Sequence, residues 1–221
     1  FFTDIEMPLI DVLMKMEIEG VYVDEDLLNE MSLNVGDRLD LIVKEIYNIA
    51  EEEFNINSTQ QLAKILFDDL KLTQIKKRST AENVLKELVN EHELPELILS
   101  YRKLNKLKNT YIDALPASIN KKTKRIHSTF NQTIAATGRL SSTGPNFQNI
   151  PIRTVEGREI RKSFIAQQKN WGIFSADYSQ IELRIMAHLS EDKELCKAFK
   201  DNLDIHDRTA SLIYNVPLDD V

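Results

Sequence analysis

The sequence predicts an α+β protein, a long helical arm followed by a smaller mixed region. Three observations carry this. Leu28, Met31, Val35, Leu39, Ile42, Ile46 and Ile49 recur at steps of three and four, which puts one apolar stripe on one long helix. From Pro116 that spacing stops, and Ile126, Ser128 and Phe130 alternate as in a strand. Gly172 to Ala176 then forms a short apolar run that reads as a buried strand with Asp177 at its exit.

In chain order, residues 4–18 place Ile5, Leu9, Val12, Leu13 and Met16 at helical spacing, with Pro8 in the first turn, where it is tolerated. Gly20 ends that helix, and Val21 to Val23 form an extended link. Asp24 caps the long helix, which runs to about Glu53 and spans ~45 Å. One stripe needs one partner, so a second long helix should lie against it. Ser58-x-x-Gln61 has capping-box spacing and opens a short helix through Phe67. Lys76-Lys77-Arg78 is a basic turn, and Ser79-x-x-Glu82 is another box, starting a helix to about Glu91. Pro95 stands in the first turn of the partner helix, which carries Leu97, Ile98, Tyr101, Leu104, Leu107 and Tyr111. Its other face is expected to present Arg102, Lys103, Lys106 and Lys108.

Lys121 to Lys124 is a turn and Arg125 to Thr133 a strand. Thr137 to Arg153 is a polar loop, punctuated by glycine and proline and rich in amides and arginines. Long ordered loops are more often functional than connective, and these residue types hold bases, sugars and phosphates. After Asp177, Ser179-x-x-Glu182 has capping-box spacing ahead of Ile181, Leu183, Ile185 and Leu189. Strand, turn and helix should therefore surround a reachable carboxylate. Asp192 caps a helix with Leu195, Cys196 and Phe199, and another starts near Asp204 and carries Leu212 and Ile213.

The totals exclude some classes. No run is long enough to span a bilayer, and no signal-peptide pattern opens the chain. Cys196 is the single cysteine, so it makes no internal disulfide and reads as a packing residue. The net charge of -7 conceals a segregation. Residues 1–100 carry 9 basic and 22 acidic side chains, residues 101–175 carry 14 and 3, and residues 176–221 carry 5 and 10. A basic central third in an acidic chain points to a polyanionic partner there.

Three blocks then stand out together: Thr137 to Arg153, Asp177 to Arg184 continuing through Ala187-His188-Leu189-Ser190, and Asp204-Ile205-His206. Tyr101-Arg102-x-Leu104-x-Lys106-Leu107-Lys108 precedes them. In this order the blocks closely resemble the polymerase region of family A DNA polymerases, over essentially the whole chain. The resemblance implies a right-hand polymerase: residues 1–20 lead into the palm, 21–119 form the thumb, 120–190 return to the palm with a partial antiparallel sheet, and 191–221 begin the fingers.

It also implies site roles. Asp177 would be one of two aspartates holding a pair of Mg²⁺ ions, joined by the carbonyl of Tyr178. Gln180, Ile181 and Glu182 would line the dNTP pocket, with Glu182 excluding a 2′-hydroxyl; the capping box with Ser179 explains this glutamate without a ligand, and the two roles are compatible, the sugar gate being the favoured one. Arg153 and His206 would lie near the incoming phosphates, whereas Arg184 is expected to make local contacts only. Arg102, Lys106 and Lys108, taken to share one helix face, would meet the duplex backbone. Arg139, Asn146, Gln148 and Asn149 would touch the minor groove and template of a primer–template DNA. The intact enzyme would be a cytoplasmic, nucleoid-associated monomer with no membrane association.

Two departures from the family pattern matter. The link between Arg78 and Ser79 is shorter than usual, and the fingers helix and the second metal aspartate do not occur before Val221. The expectation is a polymerase fragment that is inactive alone. The alternatives are a non-catalytic duplex-DNA-binding module and a metal-dependent phosphodiesterase, the latter needing a carboxylate cluster around Asp177.

Overall fold

The computed structural model describes residues 1–201, 203–217 and 220; the side chain of Leu212, an expected apolar position, lies outside the described residues. The chain forms two compact units, Phe1–Ile173 and Phe174–Val221.

The first unit opens with a π-helical turn, Phe2–Glu6, running into α1 (Met7–Glu19). Of the stripe expected there, Leu13 alone is buried, and Ile5, Val12 and Met16 are exposed. Gly20 ends the helix at φ 63°, and a Cβ there would meet the carbonyl oxygen of Ile126 at 2.6 Å. That close approach is what the extended link uses, because Val21 bridges Ile126 and Val23 bridges Phe164.

Asp24 caps α2 (Glu25–Ala50) as expected, its carboxylate accepting from the Leu27 amide at 2.9 Å. Ser58 caps α3 (Thr59–Lys64), which continues as a wide turn, Ile65–Asp69. The box at Ser79 does not form. Its hydroxyl accepts from Ala81 instead, and α4 (Glu82–Leu88) starts three residues later. A serine so close to the next amide satisfies a local turn before it can cap a helix.

The predicted partner rod is α5 (Leu94–Leu107), extended by a π-helical turn, Lys108–Ile112, and then α6 (Ala114–Ala117). It packs along α2. Two cores result. Ile46, Leu62, Leu66, Leu85, Leu88, Leu94 and Ile98 fill one end of the arm. Leu28, Val35, Leu39, Leu104, Leu107, Ile112, Ile126 and Ile160 fill the other. Each fully buried aliphatic side chain of this size stabilises by about 1.5–3 kcal/mol relative to exposure.

The expected strand shortens to β1 (Thr129–Asn131), paired antiparallel with β2 (Ser141–Thr143). After the polar loop comes α7 (Val155–Lys162), capped by Thr154, a helix the periodicity did not announce. Its eight residues include too few apolar side chains for a stripe.

The second unit contains α8 (Ile181–Ser190), α9 (Lys193–Lys200) and α10 (Ile205–Tyr214). Asp192 and Asp204 cap the last two as their sequences suggest. The strand expected at residues 172–177 is absent. Those residues form no regular element, and Ile173 and Phe174 are exposed. An apolar run becomes a buried strand only where a neighbouring strand takes its amides and carbonyls, and none among the described residues does so.

Candidate nucleic-acid interface and the Asp177 motif

A groove of about 940 Å³ runs between α5 and the loop before α7. Arg102, Lys103, Lys106 and Tyr111 line one side, and Asn146, Asn149, Pro151 and Thr154 line the other. Four of the residues singled out in the sequence thus come together from two elements: Arg102, Lys106, Asn146 and Asn149.

The loop side is held by its own polar groups. The Asn146 side-chain oxygen accepts from Ser142 Oγ at 3.1 Å and from the Gln148 amide at 2.9 Å. Gln148 accepts from the Ser142 amide at 3.1 Å and donates to the Leu140 carbonyl at 2.9 Å. Both ends of the Gln148 amide are therefore engaged in shaping the loop. Arg161 donates to the carbonyls of Pro151 and Ile150 at 3.1 and 2.8 Å, tying α7 back to the loop. Arg139 is exposed on the segment between β1 and β2, and Arg153 is exposed just before α7.

The helix side divides. Lys106 is exposed along the groove. Arg102 is half-buried and donates to the Thr80 carbonyl at 2.5 Å, which anchors the segment leading into α4; burial lowers its pKa. Lys108 does not share their face. Its ammonium lies 3.0 Å from both carboxylate oxygens of Asp113 and bonds Ser32 on α2. Six residues after Arg102 a helix has turned about 240° beyond a full circle, so an ammonium at that step points away from the groove. In the basic turn, Arg78 pairs with Asp68, which raises the pKa of the arginine and lowers that of the aspartate.

Around Asp177 the sequence expectations meet a different local geometry. Asp177 and Tyr178 are exposed. Ser179 does not cap α8; Gln180 holds that position in a left-handed conformation at φ 52° with no capping side chain. Its side-chain amide instead donates to Asp204 at 2.9 Å, joining the start of α8 to the cap of α10. Ile181 and Glu182 begin α8, both exposed. His206 lies exposed in the first turn of α10, its backbone amide bonded to Asp204 at 2.7 Å. Arg184 makes local contacts, as expected, through the Ser179 carbonyl at 3.0 Å and the Phe199 ring at 4.6 Å. Among the described residues no cluster of three or more histidines, cysteines and carboxylates could hold a metal ion. No described helix is long and apolar enough to cross a membrane.

Sequence reasoning missed Tyr111, whose hydroxyl shapes the loop side, and Glu156, which joins three helices. Thr154 ahead of Val155-Glu156 was a capping signal for α7; for Glu156 itself no local signal existed.

The helical arm and small antiparallel sheet have the fold of part of a polymerase domain. The chain matches the DNA polymerase family A over residues 25–221, and it belongs to that family. DNA polymerase I of Pseudomonas aeruginosa is 50% identical across 99% of this chain and 24% of its own length. DNA polymerase I of Geobacillus stearothermophilus is 47% identical across 99% of this chain and 26% of its own. The chain thus spans about a quarter of these relatives. Among solved structures, the POL domain of Pol1 from M. smegmatis, in complex with DNA primer-template and dNTP, superimposes with a TM-score of 0.88 at 40% identity. The match covers 99% of this chain and 39% of that one.

Proposed function

We propose that this chain is the thumb and part of the palm of a DNA-directed DNA polymerase. Residues 21–119 are the thumb, residues 1–20 and 120–190 belong to the palm, and residues 191–221 begin the fingers. The observation that carries this is the groove that unites Arg102 and Lys106 of α5 with Asn146 and Asn149 of the loop. Cations along one wall and amides along the other suit a duplex, whose backbone needs charge and whose minor groove offers acceptors common to every correct pair. Arg139 and Gln148 act with this set, Gln148 by shaping the loop. Lys108 serves the arm's own packing.

Asp177, with the carbonyl of Tyr178, supplies part of a metal site. Mg²⁺ takes one or two carboxylates and fills its remaining positions with water and substrate oxygens, so an exposed carboxylate followed by a carbonyl fits as half of such a set. When bound, the metal lowers the pKa of a primer 3′-hydroxyl and offsets charge on the triphosphate. Gln180, Ile181, Glu182 and His206 take the dNTP, with Glu182 set against the sugar to exclude a 2′-hydroxyl. The second carboxylate belongs to another part of the intact polymerase, which works as a cytoplasmic, nucleoid-associated monomer.

The 221-residue chain should bind duplex DNA with an affinity that falls steeply with salt, and should not extend a primer. Absent or salt-independent binding would remove the groove reading. Nuclease activity lost in Asp177→Ala would favour a phosphodiesterase instead.

A further inference from the structure

Glu156 stands in the first turn of α7, two residues past the Thr154 cap. Its side chain is 16% exposed, against 54% for Arg38 and 53% for Lys103. Arg38, on α2, donates from both terminal nitrogens to one carboxylate oxygen at 3.3 and 3.2 Å. Lys103, on α5, stands 3.8 Å from the other oxygen. A single carboxylate therefore joins both rods of the arm to the helix that follows the loop. The adjoining residue brings α7 close to the loop: a Cβ on Gly157 would meet the Pro151 carbonyl oxygen at 2.6 Å. The start of α7 thus sits close against Pro151, and Pro151, Thr154 and Lys103 all line the groove.

We propose that Glu156 is a positioning residue for duplex binding, clamping α2 and α5 to α7 and so setting the separation between α5 and the loop carrying Asn146 and Asn149. This rests on reading the groove as the duplex-binding surface. Glu156 touches no nucleic acid in this account; it acts through Lys103, Arg38 and the loop. Two effects of removing its charge oppose each other. A less acidic rim attracts a polyanion more strongly, whereas a loosened groove holds it less well.

The experiment compares the full 221-residue chain with Glu156→Gln and Glu156→Asp, using fluorescence anisotropy on a labelled DNA hairpin. Hydrogen exchange of the residue 155–162 amides is followed in parallel. Glu156→Gln should bind about fivefold more weakly although the protein has become less negative, with Glu156→Asp restoring part of the loss. The α7 amides should exchange faster in the glutamine variant while those of the α2 core keep their protection. Tighter or unchanged binding by a folded Glu156→Gln chain would overturn the proposal. If the unaltered chain fails to bind the hairpin, the duplex reading itself fails. The exchange of α7 then decides whether the clamp exists, and unchanged exchange would sink it.

Discussion

The hydroxyl of Tyr111 donates to the carbonyl oxygen of Asn149 at 2.5 Å, joining the end of the arm's second rod to the loop that faces it across the groove. Burial raises the pKa of this phenol, which keeps it a donor across the working range. Tyr111→Phe keeps the ring and removes the donor, leaving a carbonyl without its partner. Denaturant unfolding should show a loss of about 1 kcal/mol. An unchanged midpoint would mean that the bond adds nothing to the fold.

Lys106 and Lys108 sit two residues apart and should behave differently. Lys106→Ala should weaken duplex binding and reduce the slope of log affinity against log salt by about 1. Lys108→Ala should leave that slope alone and cost about 0.5 kcal/mol of stability, because its ammonium serves Asp113 and Ser32. Equal slopes for the two variants would refute the division of this helix into a groove side and a packing side.

Gly157 meets Pro151 too closely for a side chain, since a Cβ would lie 2.7 Å from the proline Cβ and 2.6 Å from its carbonyl oxygen. Gly157→Ala should destabilise the first unit by about 1–3 kcal/mol, despite alanine's higher helix propensity. Thermal unfolding measures this directly, and a stabilised variant would contradict the close approach.

The Glu156 carboxyl has a pH signature. Burial pushes its pKa up, but the backbone amide at its helix start, Lys103 and Arg38 together outweigh burial and hold it below its ordinary value of 4.5. A carboxyl whose pKa is depressed by folding stabilises above its unfolded pKa, and that stability is lost as pH falls through the folded value. Asp68, lowered by Arg78, contributes in the same sense. Stability should therefore decline below about pH 5, and the decline should be shallower in Glu156→Gln than in the unaltered chain. Parallel curves from pH 7 to pH 3 would show that Glu156 does not titrate differently on folding.

Much of the arm was legible in the sequence because its signals are local. A stripe at steps of three and four needs no knowledge of its partner, and Asp24, Ser58, Asp192 and Asp204 cap the helices that follow them. The same capping spacing failed at Ser79 and Ser179. There the serine competes with a tight turn or a left-handed residue at the cap, which is a matter of backbone path. The helix α7 was missed because it is short and polar, fixed by Arg161, Glu156 and the tight seat of Gly157 on Pro151.

By itself the sequence determined the family, the two rods and the charged and amide residues proposed to face a nucleic acid. Those properties depend on motif order and periodicity, which neighbours along the chain set. Tertiary structure alone decided which cations reach the groove and which are neutralised. Lys106 lines it, Arg102 is shared with Thr80, and Lys108 is turned to Asp113. It also decided that Arg38 and Glu156, far apart in sequence, meet. An ion pair of that kind depends on distances between helices, which no local spacing specifies.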